Sequence, residues 1–332
     1  MTAEPDQRAL ELLDFWTPLV LRLCVAEGII EAFDREDRSP QDVAASTGMH
    51  GDSVARAVRV LASRGVFEEC GDGRYRLTAL GRRFLSDEPD SVVGIAHFRP
   101  WELHAWAEAG HSLRTGEPSF PAHFRQGVWD WLAANPEPST AFNEDMRRRT
   151  TMLLASGLPL FDWPDTGTIV DVGGGNGLLL ERLLELKPGL RGIAFDQPHV
   201  VAEAEEHLRT AGLGDRAETV GGDFFVEIPA GHDVYVMASV LHDWDDDQAV
   251  RILETCRRAM VPSSRLVLFE SVLRPGTEFD IAKMRDLHML VLFGARERTH
   301  DEWKRLLDRA GFALQRVVPT PGLAWIESAP TR

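Results

Sequence analysis

The sequence predicts an α/β protein, a mostly parallel Rossmann-like sheet preceded by an α-rich winged-helix region. Three observations carry that prediction. From Thr168 onward strand-like runs alternate with helical stretches, the pattern of a parallel sheet covered on both faces. At the head of that region Thr168-Ile-Val-Asp-Val-Gly-Gly-Gly-Asn-Gly177 reads as a strand and a glycine turn, and Leu178-Leu-Leu-Glu-Arg-Leu-Leu-Glu-Leu186 continues as a helix. Far upstream, two helical stretches run into a strand, a turn and a strand, the helix–helix–hairpin order of a winged helix.

Bulk properties narrow the classes of function. A chain of 332 residues is long enough for two domains with an ordinary core. A formal net charge of −16 opposes a nucleic-acid or anionic-membrane partner, since both require clustered positive charge. The acidic start Met1-Thr-Ala-Glu-Pro-Asp-Gln7 does not read as a signal peptide, and no run approaches the roughly 20 apolar residues of a membrane span. Cys24, Cys70 and Cys256 are odd in number and far apart, as expected of reduced thiols in a cytoplasmic protein.

In chain order, 10–33 is apolar on several sides, with Leu12, Leu13, Phe15, Trp16, Leu19, Val20, Leu23 and Ile30. Read as a helix so placed, it is expected to pack against a second subunit. Ser39-Pro-Gln-Asp-Val-Ala-Ala-Ser-Thr-Gly48 is a short helix, with Ser39 as N-cap, Pro40 at the first position and Gly48 past the end. A second helix is expected over 52–63, with Val54, Ala57, Val58 and Leu61 on one face. Phe67-Glu-Glu-Cys70 and Arg74-Tyr-Arg-Leu77 flank Gly71-Asp-Gly73 as a hairpin. Arg56, Arg59 and Arg64 on or just past the second helix keep a ligand-sensing DNA regulator open, and the acidic chain opposes it. From Ser91 to Leu160 the chain is helical and aromatic-rich, and Pro118, Pro121, Pro136 and Pro138 divide it into short helices. Most of its aromatics are core, and some are placed to wall a pocket for a flat ligand.

The glycine turn then carries the chemistry. Its glycines supply positive φ and allow backbone to approach a ligand closely. Gly173, Gly175 and Gly177 form G-x-G-x-G rather than the dinucleotide G-x-G-x-x-G, and Asp171 lies just upstream. A carboxylate suits a cationic ligand better than a diphosphate, which favours S-adenosylmethionine over NAD, while a NAD-dependent oxidoreductase stays open. Asp196 ends the next strand about 20 residues on, where such folds place an acid for ribose hydroxyls. Asp223 and Phe224, after Gly222, are placed for an adenine amine and ring. Asp233-Val-Tyr-Val-Met-Ala-Ser-Val-Leu-His242 is read as a strand with His242 at its carboxyl end, and Arg265–Glu270 as another ending in Glu270. These ends converge on one crevice, where an imidazole with an ordinary pKa of about 6.5 is a natural general base. The acidic run after His242 needs no metal, because Asp245 and Gln248 make a capping-box start and Arg257 and Arg258 suit the helix end near Met260.

Asp171-Val-Gly-Gly-Gly-Asn-Gly177, Gly222-Asp-Phe-Phe225, His242-Asp-Trp244 and Glu297-Arg-Thr299 together resemble motifs of the S-adenosylmethionine-dependent O-methyltransferases of the plant caffeic-acid type and their bacterial natural-product relatives. The likeness spans nearly the whole chain. It implies a winged-helix-like dimerisation domain over 1–90, a helical connector over 91–160 and a seven-stranded catalytic domain over 161–332. It further implies a homodimer that methylates a hydroxyl of an aromatic or polyketide-like acceptor in bacterial secondary metabolism, yielding S-adenosylhomocysteine, without a metal. His242 would take the acceptor proton, flanked by Glu270 and Glu297. Asp171, Gly173, Gly175, Asp196, Gly222, Asp223, Phe224 and Ser239 would hold the cofactor. Trp106, Asn143, Met146, Asp286, Met289 and Phe293 would line the acceptor pocket. Ala238 stands where many plant members have a lysine near the cofactor, which points to the Ser239 hydroxyl instead. Some relatives with this fold carry out other cofactor-assisted chemistry, such as hydroxylation, so that alternative stays open here.

Overall fold

The computed structural model describes residues 5–88, 91–96 and 98–331. The chain forms two compact units, up to Pro100 and from Trp101 onward.

In the first unit, 10–33 is three helices rather than one: Pro5–Leu13, Trp16–Ala26 and Ile29–Phe33. Two local signals cut it. Asp14 Oδ1 accepts the Thr17 N–H at 3.0 Å, and Gly28 takes φ +70°, which starts the third helix in a new direction. Pro40–Thr47 begins on Ser39, whose hydroxyl accepts from the Asp42 N–H, and ends on a left-handed Gly48. Gly51–Ala62 buries Val54, Val58 and Leu61 against Ile30, Phe33 and Val43. The hairpin pairs β1 (Phe67–Gly71) with β2 (Arg74–Leu77). Of the three arginines expected at a DNA-reading helix, Arg56 pairs with Asp52 and Arg64 with Asp14, each at 2.8 Å.

In the second unit, Pro136 and Pro138 open a helix of 22 residues, Pro136–Gly157, rather than breaking it. In a first turn the missing N–H has no intrahelical acceptor to lose, so proline is tolerated there. The strands that follow are β3 (Gly167–Val172), β4 (Leu190–Asp196), β5 (Ala217–Gly221), β6 (Val234–Ala238) and β7 (Arg265–Glu270), then the short β8 (Val272–Leu273) and β9 (Arg298–Thr299), and finally β10 (Phe312–Pro319) and β11 (Ala324–Pro330). Seven of them make one sheet in the order β10-β11-β7-β6-β3-β4-β5. The pairs from β5 to β7 are parallel, and β11 and β10 close the edge antiparallel.

The alternation of the strands divides the core. Val170, Val172, Tyr235, Met237, Leu266 and Leu268 face one layer, with Trp303 and Phe312. Ile169, Val234, Val236, Val267 and Phe269 face the other, with Leu179, Leu183 and Trp325. The chain winds from β3 outward to β4 and β5, then returns past β3 to β6. The carboxyl end of β3 is therefore the switch point, where open α/β sheets hold ligands.

Candidate active site

The turn after β3 is built from positive-φ glycines: Gly173 at +74°, Gly175 at +55° and Gly177 at +81°. The N–H groups of Gly173 and Gly174 donate to Phe195 O on β4, at 2.8 and 3.2 Å. A Cβ on Gly173 would lie 2.8 Å from Val240 Cγ2, and one on Gly174 would lie 2.9 Å from Asp171 Oδ2. Asp196, the last residue of β4, accepts the Gly175 N–H on Oδ2 and the Gln197 N–H on Oδ1. Each of its oxygens keeps a lone pair for a ligand.

Asp171 is 1% exposed, and its Oδ2 is buried without a partner. Burial, and then the charge of Asp196, push its carboxyl up to about 7. A buried, unpaired carboxylate oxygen is costly unless something positive comes to it, so the cradle fits a cationic ligand. Beside it, a Cβ on Gly222 would lie 2.5 Å from the Phe195 ring, so the backbone there runs close over β4. Asp223 Oδ1 accepts the Phe225 N–H, which fixes its turn just beyond β5, and Phe224 meets Trp244 edge-on.

His242 differs from expectation in its local structure. β6 ends at Ala238, and Ser239 then takes φ +54°, which turns the chain into a 3₁₀ turn, Leu241–Asp243. Sequence periodicity could not mark this break, because positive φ at a residue other than glycine is unusual. The turn is fastened from three sides. Glu270 Oε1 accepts the N–H groups of Val240 and Leu241, at 3.0 and 2.9 Å. Arg298, 1% exposed, donates to the carbonyls of Leu241 and Trp244. The N–H of Arg296 donates to His242 O at 3.2 Å.

Glu297 Oε1 lies 3.3 Å from His242 Nδ1, and Asp243 Oδ1 lies 3.5 Å from Nε2. Burial alone would lower the imidazole pKa, but the carboxylates of Asp243, Glu270 and Glu297 outweigh it and hold the ring up at about 9. Burial pushes Glu270 up to about 7. The same burial opposes ionisation of Glu297, yet the hydrogen bond to His242 and the charge of Arg285 bring its carboxyl below the ordinary value. Glu270 thus braces the backbone beneath His242, while Glu297 faces the ring itself.

Donor atoms of His242, Glu270 and Glu297 lie within 4.8 Å of one another, as metal ligands can. They already have other partners: two backbone N–H groups on Glu270, and His242 with Arg285 on Glu297. The acidic run that follows is likewise explained within the chain. Asp245 caps the helix Asp246–Ala259, Asp246 pairs with Arg298 and Asp247 with Arg309.

The helices Pro136–Gly157 and Ile281–Phe293 bring an aromatic cluster together. Met146 and Phe293 pack against Trp101, Phe120, Phe142 and Val291, and Met289 is buried nearby in sequence. Trp106 donates from Nε1 to His288 Nδ1 at 3.0 Å and stacks on that ring. Asn143 lies on the exposed flank of its helix, apart from this cluster. Asp286 accepts the Glu297 N–H at 2.9 Å, so it fixes the segment that carries Glu297 just before β9. Sequence reading missed Arg149, Arg285 and Arg298. Helical phase was the one signal available for Arg149, which falls on the Phe142–Met146 face.

Comparison with known proteins identifies the family. The model of the O-methyltransferase domain matches residues 106–313, and that of the O-methyltransferase dimerisation domain matches residues 10–87. The phenazine O-methyltransferase of Lysobacter antibioticus is 41% identical over 318 residues, covering 95% of this chain and 93% of that protein. The O-demethylpuromycin O-methyltransferase of Streptomyces alboniger is 37% identical, covering 94% and 85%. The crystal structure of NcsB1, an O-methyltransferase from neocarzinostatin biosynthesis, holds S-adenosylmethionine and 2-hydroxy-5-methyl naphthoic acid. It superposes with a TM-score of 0.81 at 31% identity, covering 96% of this chain and 98% of that one. The chain belongs to the S-adenosylmethionine-dependent O-methyltransferases, with their catalytic domain and their dimerisation domain on one polypeptide.

Proposed function

We propose that this enzyme methylates a hydroxyl of an aromatic or polyketide-like small molecule in bacterial secondary metabolism, with His242 as general base. The observation that carries the reading is the setting of His242. With Nδ1–H directed at Glu297, the neutral ring keeps its lone pair on Nε2, beside Asp243. The cofactor supplies an electrophilic methyl group on a sulfonium. Asp171 suits its positive charge, Asp196 its ribose, Asp223 and Phe224 its adenine, and Gly173, Gly175 and Gly222 let the backbone come close. Ser239 offers a hydroxyl where Ala238 offers nothing.

A phenol ionises near pH 10, so a histidine held at about 9 takes its proton almost without a thermodynamic penalty. The carboxylates of Glu297 and Asp243 then stabilise the imidazolium. The aromatic cluster around Met146, Met289 and Phe293 orients the acceptor ring. Such positioning supplies ~7–11 kcal/mol in favourable cases, more than general-base help worth ~10²–10⁴ in rate. We further assign the enzyme to the cytoplasm as a homodimer joined through its N-terminal unit. Among the described residues no helix is long and apolar enough to cross a membrane.

Transfer of label from S-adenosylmethionine to a panel of phenols and hydroxylated polyketides tests the reaction, with product mass raised by one methyl. His242→Ala should lower kcat by about 10²–10⁴ and leave the dissociation constant of S-adenosylmethionine within a factor of about three. Unchanged turnover in that variant would remove His242 from the chemistry.

A further inference from the structure

Arg149 is a charge on an otherwise apolar helix face. On the helix Pro136–Gly157, Phe142, Met146, Arg149 and Leu153 recur at spacings of four, three and four, which aligns them on one face. Phe142 and Met146 pack in the aromatic cluster of the acceptor pocket, and Leu153 packs against the sheet core. The neighbours Arg147 and Arg148 are exposed, and Arg148 pairs with Glu144 at 2.6 Å. Arg149 alone of the three turns inward. Its Nη2 is buried and donates to nothing, and the side chain forms no ion pair within 4.0 Å among the described residues.

Its surroundings are those of the reaction. The charges of Arg285, Glu297, Glu270 and Asp243 all act on its guanidinium, and burial with the like charge of Arg285 lowers its pKa to about 10. Arg285 is already engaged, donating to Ser271 Oγ at 2.8 Å and lying 3.9 Å from Glu297. Arg149 is therefore the guanidinium left with an open donor. A buried N–H of a cation without an acceptor is costly, and an anion arriving beside it recovers that cost.

Resting on the reading of this cleft as the acceptor site, we propose that Arg149 selects acceptors bearing an acidic group on the same ring system as the hydroxyl that is methylated, namely aromatic hydroxy-carboxylates. The carboxylate accepts the free Nη2–H and lies toward the two arginines. The hydroxyl is then directed toward His242, across the ring from the arginine side. Arg149 acts as a specificity residue, with no part in moving the proton.

The test compares each acid with its own methyl ester, which keeps the ring and removes the charge. The probes are protocatechuate and 1,4-dihydroxy-2-naphthoate. Dissociation constants are measured by calorimetry on the full chain loaded with S-adenosylhomocysteine. The wild-type protein should bind at least one acid about 10–100-fold more tightly than its ester, the span of one charge-assisted hydrogen bond. Arg149→Met should erase that preference by weakening the acid, with ester binding within about three-fold of wild type. Arg149→Gln keeps a hydrogen-bonding head without charge, and it must lose the preference too, which decides the matter if the methionine variant does not fold. Equal binding of acid and ester by the wild type in both pairs, or an acid preference surviving in Arg149→Gln, overturns the assignment. Methyl transfer is scored separately. Ester turnover without acid preference sinks only the arginine, and acid preference without turnover of any probe counts against the acceptor-site reading.

Discussion

At the scale of single residues, the site is an exercise in how burial and charge set a proton's position. His242 is almost fully enclosed, and by itself that would favour the neutral ring. Three carboxylates nearby reverse the sign and keep its pKa at about 9. A base needs its unprotonated form, so kcat/KM should climb as pH rises and level off above about 9. Glu297→Gln removes a carboxylate that favours the imidazolium, so the inflexion should move down, toward the ordinary histidine value. Maximal kcat should fall as well, by about tenfold or more, because Nδ1 loses its charged partner. A pH–rate profile of both proteins checks this. An inflexion that stays in place would mean that Glu297 does not govern the proton on His242. Asp171 illustrates the opposite balance. Its pKa rises because burial and Asp196 act in the same direction, so it waits for a positive partner rather than possessing one.

At the scale of elements, two long-range clamps hold a turn that has little regular structure of its own. Glu270 grips the donors at Val240 and Leu241 from β7, and Arg298 grips the acceptors at Leu241 and Trp244 from β9. Arg298→Met keeps the apolar bulk but strands both carbonyls and frees Asp246. The loss should be about 2–4 kcal/mol of stability, read as a lowered midpoint of chemical unfolding of the catalytic unit. In protein still folded, kcat should fall while cofactor affinity holds, since the glycine turn follows β3 and is not the turn that Arg298 holds. A parallel loss of both would show that the arginine supports the whole sheet edge. These clamps also explain what could and could not be read beforehand. Asp171, Asp196 and Glu270 were legible because each sits on or at the end of a short, largely apolar run, a local pattern. The helix caps at Ser39 and Asp245 were legible for the same reason. Arg298 was not, since its partners Leu241, Trp244 and Asp246 lie far away in sequence, and neither was Arg149, since the charges that surround it come from distant parts of the chain. The break after Ala238 was hidden too, because a serine carries no signal for positive φ. Gly28 did carry one, and the density of apolar residues around it obscured the cut into three helices.

At the scale of the whole molecule, the N-terminal unit leaves an unusual amount of apolar surface in water. Leu10, Leu12, Leu13, Phe15 and Trp16 are all more than half exposed, with Leu12 at 77%, and the Phe15 and Trp16 rings sit 4.9 Å apart. Scattered exposed leucines need no explanation, but five within seven residues form a patch, and such patches mark contacts. The family model that covers 10–87 is a dimerisation domain, which is why a second copy of this chain is the occupant we assign. Charge sharpens the expectation. Each chain carries −16, so two copies repel at a distance, and apolar burial must outweigh that repulsion at contact. Light scattering should give twice the 37.0 kDa of one chain, with the dimer strengthening as salt screens the repulsion. Leu12→Glu combined with Trp16→Glu places two more negative charges on the patch. Each buried apolar side chain of this size is worth about 1.5–3 kcal/mol, so losing two of them from both subunits should shift the dissociation constant by several decades. The variant should therefore run as a monomer at micromolar concentration while its N-terminal unit stays folded, since neither residue belongs to the Ile30, Phe33, Val58 and Leu61 core. A wild-type monomer, or a double variant that remains dimeric, would place the subunit contact elsewhere.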